Sequence, residues 1–272
     1  MQHTEQLLTL AARDIARRDA EILLAAAWQR SRAMLLAHPE ETVPEAVATR
    51  FAATCARRAA GEPVAYLLGR REFWSLKFDV TPAVLVPRPE TELLVERTLA
   101  RVTETHADIA DLGTGSGCIA IALAHERPEW TLTGTDASAD ALAVARRNGQ
   151  HLVEGRVDWL LGDWFAPLAD QRFDALVSNP PYIAADDPVL GGDGLSHEPR
   201  SALTPGGDGL GALATLINGA PGHLEPGGWL LLEHGATQAE TLRTALVARG
   251  FTHVTSHRDL AGHERVTEAF WP

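Results

Sequence analysis

Apolar residues recur at helical spacing through the first seventy positions. Leu7, Leu8, Leu10, Ala11 and Ile15 form one stripe, and Ile22, Leu23, Ala26 and Ala27 carry a second as far as Met34. His38-Pro39 breaks that run. Pro44 then stands where a first helical turn tolerates proline, and Val47, Phe51, Thr54, Cys55 and Arg58 continue until Gly61 ends the helix. The pattern predicts a helical bundle over residues 1–70, suited to holding a partner rather than to chemistry. From Arg71 the period shortens. Glu72-Phe73-Trp74 and Leu76-Lys77-Phe78-Asp79-Val80 read as two strands of a hairpin turning near Ser75, so residues 71–90 are expected to link two domains. The run Val84-Leu85-Val86-Pro87-Arg88-Pro89-Glu90-Thr91-Glu92 reads as a rigid extended entry to a helix opened by Thr91 or Glu90 and carrying Leu93, Leu94, Val95 and Leu99.

Beyond residue 106 strand and helix alternate. Strands are predicted at 109–112, 131–135, 157–161, 175–178 and 229–233, and helices at 119–126, 139–148, 210–220 and 236–248. This rhythm predicts an α/β domain over residues 91–272, with a mostly parallel sheet covered on both faces that binds ligands beyond the carboxyl ends of its strands. Two β-like runs with no helix between them, 254–257 and 265–270, predict an antiparallel hairpin at one edge. Gly191-Gly192-Asp193-Gly194 and Pro205-Gly206-Gly207-Asp208-Gly209 mark one long loop, and loops of that length are usually functional.

Composition narrows the setting. Of 272 residues 45% are hydrophobic and 22% charged, which is ordinary for a globular chain. No stretch approaches the roughly 20 apolar residues of a membrane span. The start, Met1-Gln2-His3-Thr4-Glu5, lacks the basic head and apolar stretch of a secretory signal, so the cytosol is expected. Cys55 and Cys118 show no metal or redox spacing and are expected to be buried thiols. Residues 1–105 hold 14 basic and 14 acidic side chains, whereas residues 106–272 hold 10 and 22, which accounts for the whole net charge of −12. An acidic second half argues against binding nucleic acid through phosphate contacts. No metal-ligand cluster or Ser-His-Asp arrangement is evident, and Lys77 is the only lysine.

Candidate chemistry sits at the strand ends. Asp111-Leu112-Gly113-Thr114-Gly115-Ser116-Gly117-Cys118 follows a strand and opens a helix, with glycines two apart rather than in the dinucleotide spacing. Asp136 ends the next strand, where an acid grips ribose hydroxyls. Asp163-Trp164 follows the third, where a carboxylate would accept from an adenine amine and an indole would cover its ring. Together they describe an adenosine pocket without a pyrophosphate clamp. After the fourth strand comes Asn179-Pro180-Pro181-Tyr182. The Asn179 side-chain oxygen and the Pro180 carbonyl, locked by prolines, suit a planar nitrogen whose two N–H groups need acceptors, and Tyr182 would pack on its plane.

With these motifs the chain resembles class I methyltransferases of the Asn-Pro-Pro-Tyr type. Pro87-Arg88-Pro89-Glu90-Thr91-Glu92 and Arg71-Glu72-Phe73-Trp74 look like the HemK/PrmC branch, over nearly the whole length. The resemblance implies a Rossmann-like methyltransferase sheet behind a helical substrate-docking domain. It implies S-adenosylmethionine as cofactor, and as reaction the methylation of the side-chain amide nitrogen (N5) of glutamine in the Gly-Gly-Gln motif of class-1 peptide chain release factors. It places Gly113, Thr114, Gly115, Ser116 and Gly117 under the methionine part of the cofactor, Asp136 on the ribose and Trp164 near the adenine. Asn179, Pro180, Pro181 and Tyr182 fall on the glutamine, with Phe73 as a second wall. Two positions depart from many relatives: Ser75 stands for glycine in the hairpin turn, and His234 for an aliphatic residue, a strand-end histidine read as structural. The rival readings are an adenine-N6 methyltransferase, which would need a basic recognition surface, and a nicotinamide oxidoreductase, which the glycine spacing disfavours.

Overall fold

The computed structural model describes residues 2–192 and 194–272; of the long glycine-rich loop, Asp193 lies outside the described residues. The chain forms two compact units, Met1–Arg70 with Gly191–His197, and Arg71–Leu190 with Glu198–Pro272. The first unit holds α1 (Thr4–Ala11), α2 (Arg17–Trp28), α3 (Arg32–Ala37), α4 (Glu45–Ala59) and the short α5 (Val64–Leu68), the last not evident from the apolar pattern. The two predicted stripes meet in one core of Leu7, Leu8, Leu23, Leu24, Leu35, Val47 and Phe51. Leu10 and Met34 are left outside it, 48% and 46% exposed. Glu21 is buried in this unit and accepts from Arg17 at 3.0 Å and Arg32 at 2.6 Å. The returning segment is held by His197, whose Nε2 lies 3.1 Å from the Ala60 carbonyl oxygen.

In the second unit β1 (Arg70–Phe73) and β2 (Leu76–Asp79) form the predicted hairpin. Its turn puts Trp74 and Ser75 at φ 52° and 59°, a left-handed conformation usually left to glycine or asparagine. The Trp74 N–H donates to Glu92 at 2.8 Å. Asn148 clamps the other end, accepting from the Asp79 N–H at 2.8 Å and donating to the Asp79 and Ser116 carbonyls at 3.0 and 2.9 Å. The 71–90 segment therefore packs as part of this unit, with Phe73 and Phe78 in its main core.

A turn of 3-10 helix at Pro89–Thr91 leads into α6 (Glu92–Arg101). The alternation then follows as β3 (Asp108–Leu112), α7 (Cys118–Glu126), β4 (Thr131–Asp136), α8 (Ala139–Val153), β5 (Val157–Leu161), β6 (Phe173–Ser178), the short α9 (Arg200–Leu203), α10 (Gly211–Gly219), β7 (Leu224–Glu233), α11 (Ala239–Arg249), β8 (Thr252–Arg258) and β9 (Glu264–Phe270). The seven strands run in the order β5-β4-β3-β6-β7-β9-β8, parallel except that β9 lies antiparallel to both neighbours. The expected edge hairpin is thus present, with β9 inserted beside β7. Three elements differ from the reading of the pattern. β7 begins at Leu224 because its pairing with Phe173 precedes the apolar run. α8 runs on to Val153, and α11 starts only at Ala239, after Gln238 has bonded the Gly235 N–H.

β9 is tied to α6 by Glu268, a fully buried carboxylate that accepts from Arg97 and Arg101 and lies 3.0 Å from His257 Nε2. Burial alone would raise its pKa; the hydrogen bonds from Arg101, Arg97 and His257 outweigh that and hold it below the usual value. Among the described residues no helix is long and apolar enough to cross a membrane.

Both cysteines are free thiols, Cys118 buried and Cys55 half-buried. Burial, helped by Asp14, pushes Cys55 up to about 11, and burial beside Asp111 pushes Cys118 up to about 12. Alkylation of the native protein by iodoacetamide at pH 8 should therefore be about two hundredfold slower at Cys55 than for an ordinary thiol. It should be slower still at Cys118, and both should become ordinary in urea. Fast labelling of either thiol without urea would contradict this placement.

Candidate functional site

The parallel register brings the ends of β3, β4 and β6 to one level, and the candidate residues leave the sheet there. After β3 the chain turns sharply through Gly113, Gly115 and Gly117, at φ 73°, 56° and 82°. The Gly113 and Thr114 N–H groups both donate to the Thr135 carbonyl at 2.9 Å, which lays the loop across the end of β4. Asp136 then accepts from the Gly115 N–H at 2.9 Å through one oxygen and from the Ser138 N–H at 2.8 Å through the other. Ser138 also caps α8, accepting from Ala141 at 3.2 Å. Beneath the loop Asp111 is fully buried and accepts from the Thr114 hydroxyl at 2.5 Å and the Ala120 N–H at 3.3 Å. Burial raises its pKa to about 7, against the pull of those two donors.

These elements enclose a cavity of about 410 Å³. Gly113, Thr114, Gly115, Ser116, Asp136, Asp163, Trp164, Asn179 and Pro181 all stand on its wall, so most of the residues singled out in the sequence share one site. A Cβ at Gly113 would come within 3.1 Å of the Trp164 ring, so glycine there leaves the indole its place. The fit to an adenosine-type ligand with a cationic tail is good. Asp136 has both oxygens oriented by backbone donors and lone pairs left for a pair of hydroxyls, an indole forms one wall, and no side chain fills the glycine cradle at Gly115.

Four expected residues stand elsewhere. Phe73 is 1% exposed and meets Phe78 edge-on at 6.1 Å in the main core; it is no wall of the cavity. Gly117 is also off the wall. A Cβ there would lie 2.8 Å from the Trp159 ring, and Gly134 and Gly149 face the same indole at 2.5 and 3.1 Å, so Gly117 serves the packing of loop, helix and sheet. Pro180 is buried and not on the wall. Nor is Tyr182, whose hydroxyl turns away to Glu233 at 3.4 Å and whose carbonyl accepts from Gln238 at 3.0 Å. Burial raises its pKa, and Glu233 adds to the effect. His234 is fully buried, with Nδ1 2.9 Å from the Gly235 carbonyl and Nε2 2.8 Å from the Thr267 hydroxyl; burial lowers its pKa, which fits a neutral structural ring.

The sequence reading missed other wall residues. Pro87, Arg88 and Thr91 line the cavity, as do Pro199, Ser201 and Ala202 from the far end of the long loop. Glu198 joins the two segments: it is buried and accepts from the Val86 N–H at 2.9 Å and from the Arg88 guanidinium. Asn179 donates through Nδ2 to the Thr91 hydroxyl at 3.1 Å. Only the run Pro87–Glu92 hinted at this, through its two closely spaced prolines.

The family model described as PrmC N-terminal domain matches residues 1–69, and that described as methyltransferase small domain matches residues 89–210. The release factor glutamine methyltransferase of Pseudomonas aeruginosa is 49% identical over 94% of this chain and 93% of its own. That of Escherichia coli is 44% identical over 97% and 95%. Among solved structures, a methyltransferase from Pyrococcus furiosus is similar in fold, with a TM-score of 0.56 at 20% identity over 80% of this chain and 98% of its own. The 16S rRNA N2 G1207 methyltransferase of Thermus thermophilus, solved with AdoMet and guanosine, gives 0.54 at 18% over 75% and 50%.

The loop after Tyr182 is held by its own return. Ile183 donates to the Leu203 carbonyl at 3.0 Å and Ala185 to Gly207 at 2.9 Å. Gly209, at φ 84°, fits so tightly that a Cβ would stand 2.4 Å from the Tyr182 carbonyl oxygen, whereas Gly207, at φ 53°, has open space around it. Gly209→Ala should cost about 2 kcal/mol or more in urea unfolding, and Gly207→Ala only about 1 kcal/mol. Equal costs would mean that the close approach at Gly209 is not real.

Proposed function

The chain belongs to the release factor glutamine methyltransferase family, and from that premise we propose a division of labour among the residues of its cavity. The protein methylates a glutamine of a release factor with S-adenosylmethionine as donor. The finer reading is transfer to the side-chain amide nitrogen (N5) of the glutamine in a Gly-Gly-Gln motif, in class-1 factors, in the cytoplasm. The cofactor, when bound, supplies an electrophilic methyl group on a positively charged sulfur. Gly113, Thr114, Gly115 and Ser116 would hold its amino-acid part, Asp136 its ribose hydroxyls, and Asp163 and Trp164 its adenine.

Asn179 does the substrate's work. An amide nitrogen is a poor nucleophile because its lone pair is delocalised into the carbonyl. The Asn179 Oδ1 accepts an N–H of the amide, holds the nitrogen in line with the methyl and favours localisation of its lone pair. Because the positive charge passes from the donor sulfur to the amide nitrogen and no charge is created, alignment contributes more than charge stabilisation. The N-methylated amide, while still carrying its extra proton, is a strong acid and loses that proton to water without a side-chain base. Tyr182 supports this arrangement from behind, through Glu233 and Gln238, rather than by stacking on the target. The observation that carries the reading is Asn179 on the wall of the same cavity as the glycine loop, Asp136 and Trp164.

Single-turnover methylation of a release factor carrying Gly-Gly-Gln, beside one carrying Gly-Gly-Ala, tests it. Asn179→Ala should lose about a hundredfold or more in rate, by analogy with a lost oxyanion-hole donor, while cofactor affinity stays the same. Asn179→Asp keeps an acceptor and should retain part of the rate. Wild-type rates in Asn179→Ala would leave the tetrapeptide as no more than a turn.

The helical unit is read as the docking site for the body of the release factor. Leu10, Met34 and Leu36 stay 46–49% exposed there, more than its core requires. The full chain carrying Met34→Asp and Leu36→Asp should show a raised KM for intact release factor and unchanged turnover of a short Gly-Gly-Gln peptide. An unchanged KM for the intact factor would remove these residues from the docking surface.

A further inference from the structure

The amino-acid part of S-adenosylmethionine ends in an ammonium and a carboxylate, and these two need opposite partners. The glycine loop suits the first better than the second. Gly113 and Thr114 spend their N–H groups on the Thr135 carbonyl, Gly115 spends its own on Asp136, and Gly117 donates to the Thr114 carbonyl at 2.9 Å. The Thr114 hydroxyl is given to Asp111. The loop therefore has carbonyls to offer an ammonium and few N–H groups left for a carboxylate, whose desolvation has to be met by donors from elsewhere.

Charge on the cavity wall sharpens that need. Asp136 and Asp163 are both acidic, and among the described residues the one cationic side chain on the wall is Arg88. Hydroxyls there can donate to an anion, but only Arg88 brings the opposite charge. Its place is fixed at both ends. Pro87 and Pro89 flank it, and a residue before proline is confined to extended backbone, which Arg88 adopts at φ −99° and ψ 142°. At the head of the side chain Glu198, 7% exposed, accepts from one terminal nitrogen of the guanidinium and, through its other oxygen, from the Val86 N–H at 2.9 Å. A guanidinium carries five N–H donors in a rigid plane, so that bond leaves others to spare. Among the described residues Glu198 is the only group that the guanidinium bonds, and the Arg88 side chain stays 33% exposed.

We propose that Arg88 holds the methionine carboxylate of S-adenosylmethionine. The proposal rests on the cofactor placement given above, with the amino-acid part at the glycine loop. The chemistry of the target disfavours the other use of this side chain. A cation on the carbonyl oxygen of the glutamine would draw the nitrogen lone pair further into the amide and oppose methyl transfer. The same cation on the cofactor carboxylate offsets a charge that Asp136 and Asp163 repel. That carboxylate takes no part in the reaction, so Arg88 serves binding of the donor rather than the chemical step.

Calorimetry on the full-length protein tests this with two ligands that differ only in the group at issue, S-adenosylmethionine and its decarboxylated form. Arg88→Met keeps most of the apolar stem and removes the charge. It should bind S-adenosylmethionine about tenfold or more weakly than wild type, and the decarboxylated form no worse than about twofold. Arg88→Lys, which keeps the charge without the planar fork, should recover part of the loss. If Arg88→Met binds neither ligand, Glu198→Gln is added so that no buried carboxylate is left unpaired, and the comparison is repeated. Loss of both ligands there too would overturn the assignment. So would equal losses for the two ligands, which would make Arg88 a brace for Glu198 alone, or unchanged affinity for both, which would leave Arg88 to the peptide. Asp136→Ala tests the underlying placement separately. It should weaken both ligands alike, and unchanged affinity in that variant would remove the placement itself, whatever Arg88 does.

Discussion

Two adjacent N–H groups, those of Gly113 and Thr114, share the carbonyl of Thr135, and the site depends on that contact. A strand end must satisfy its last backbone groups, and here the loop after one strand does so on the end of its neighbour. The next residue along β4, Asp136, then faces the loop it has just received and fixes Gly115 by its N–H. Ser178 repeats the device on the other side, donating its hydroxyl to the Leu112 carbonyl at 2.6 Å and bringing the end of β6 against β3. The glycine loop and the tetrapeptide are thus registered to each other across the end of β3, by two backbone N–H groups on one side and by the Ser178 hydroxyl on the other.

What periodicity encodes was legible in the sequence. The five parallel strands were expected close to where they stand, since a strand buried on both faces reads as a short apolar run between turn signals. The glycine loop, Asp136, Trp164 and Asn179 were legible because each follows a strand end, and a parallel sheet gathers such ends. Bonds between distant residues were not. Glu198 bonds Val86, and Thr91 bonds Asn179, across 112 and 88 positions, and nothing local marks them. Gly117 misled for a related reason. It stands in the motif, but the bulk it makes room for is Trp159, on β5, and nothing local to the motif marks that contact.

Formal charge needs the same care. The acidic half of the chain holds 22 carboxylates, but Asp111, Glu198, Glu233 and Glu268 among them are buried, and two of these are raised to about 7. They satisfy internal donors rather than build a surface field. The acids of this half are partly structural, each set where a strand end or a loop has a donor in excess: Asp111 under the glycine loop, Glu198 at the cavity rim, Glu233 behind the tetrapeptide and Glu268 beneath α6.

The partition of the chain gives the helical unit a segment that is not its own by sequence order. Gly191–His197 belongs with residues 1–70, although more than a hundred residues of the other unit are threaded between them. A ribosome delivers the five helices first and this segment much later, after β6 and Tyr182 have emerged. The helical unit is therefore incomplete through most of its own synthesis. Its final shape is reached only as the chain passes from the tetrapeptide to Glu198, and a transcript truncated within that stretch would leave both units unfinished.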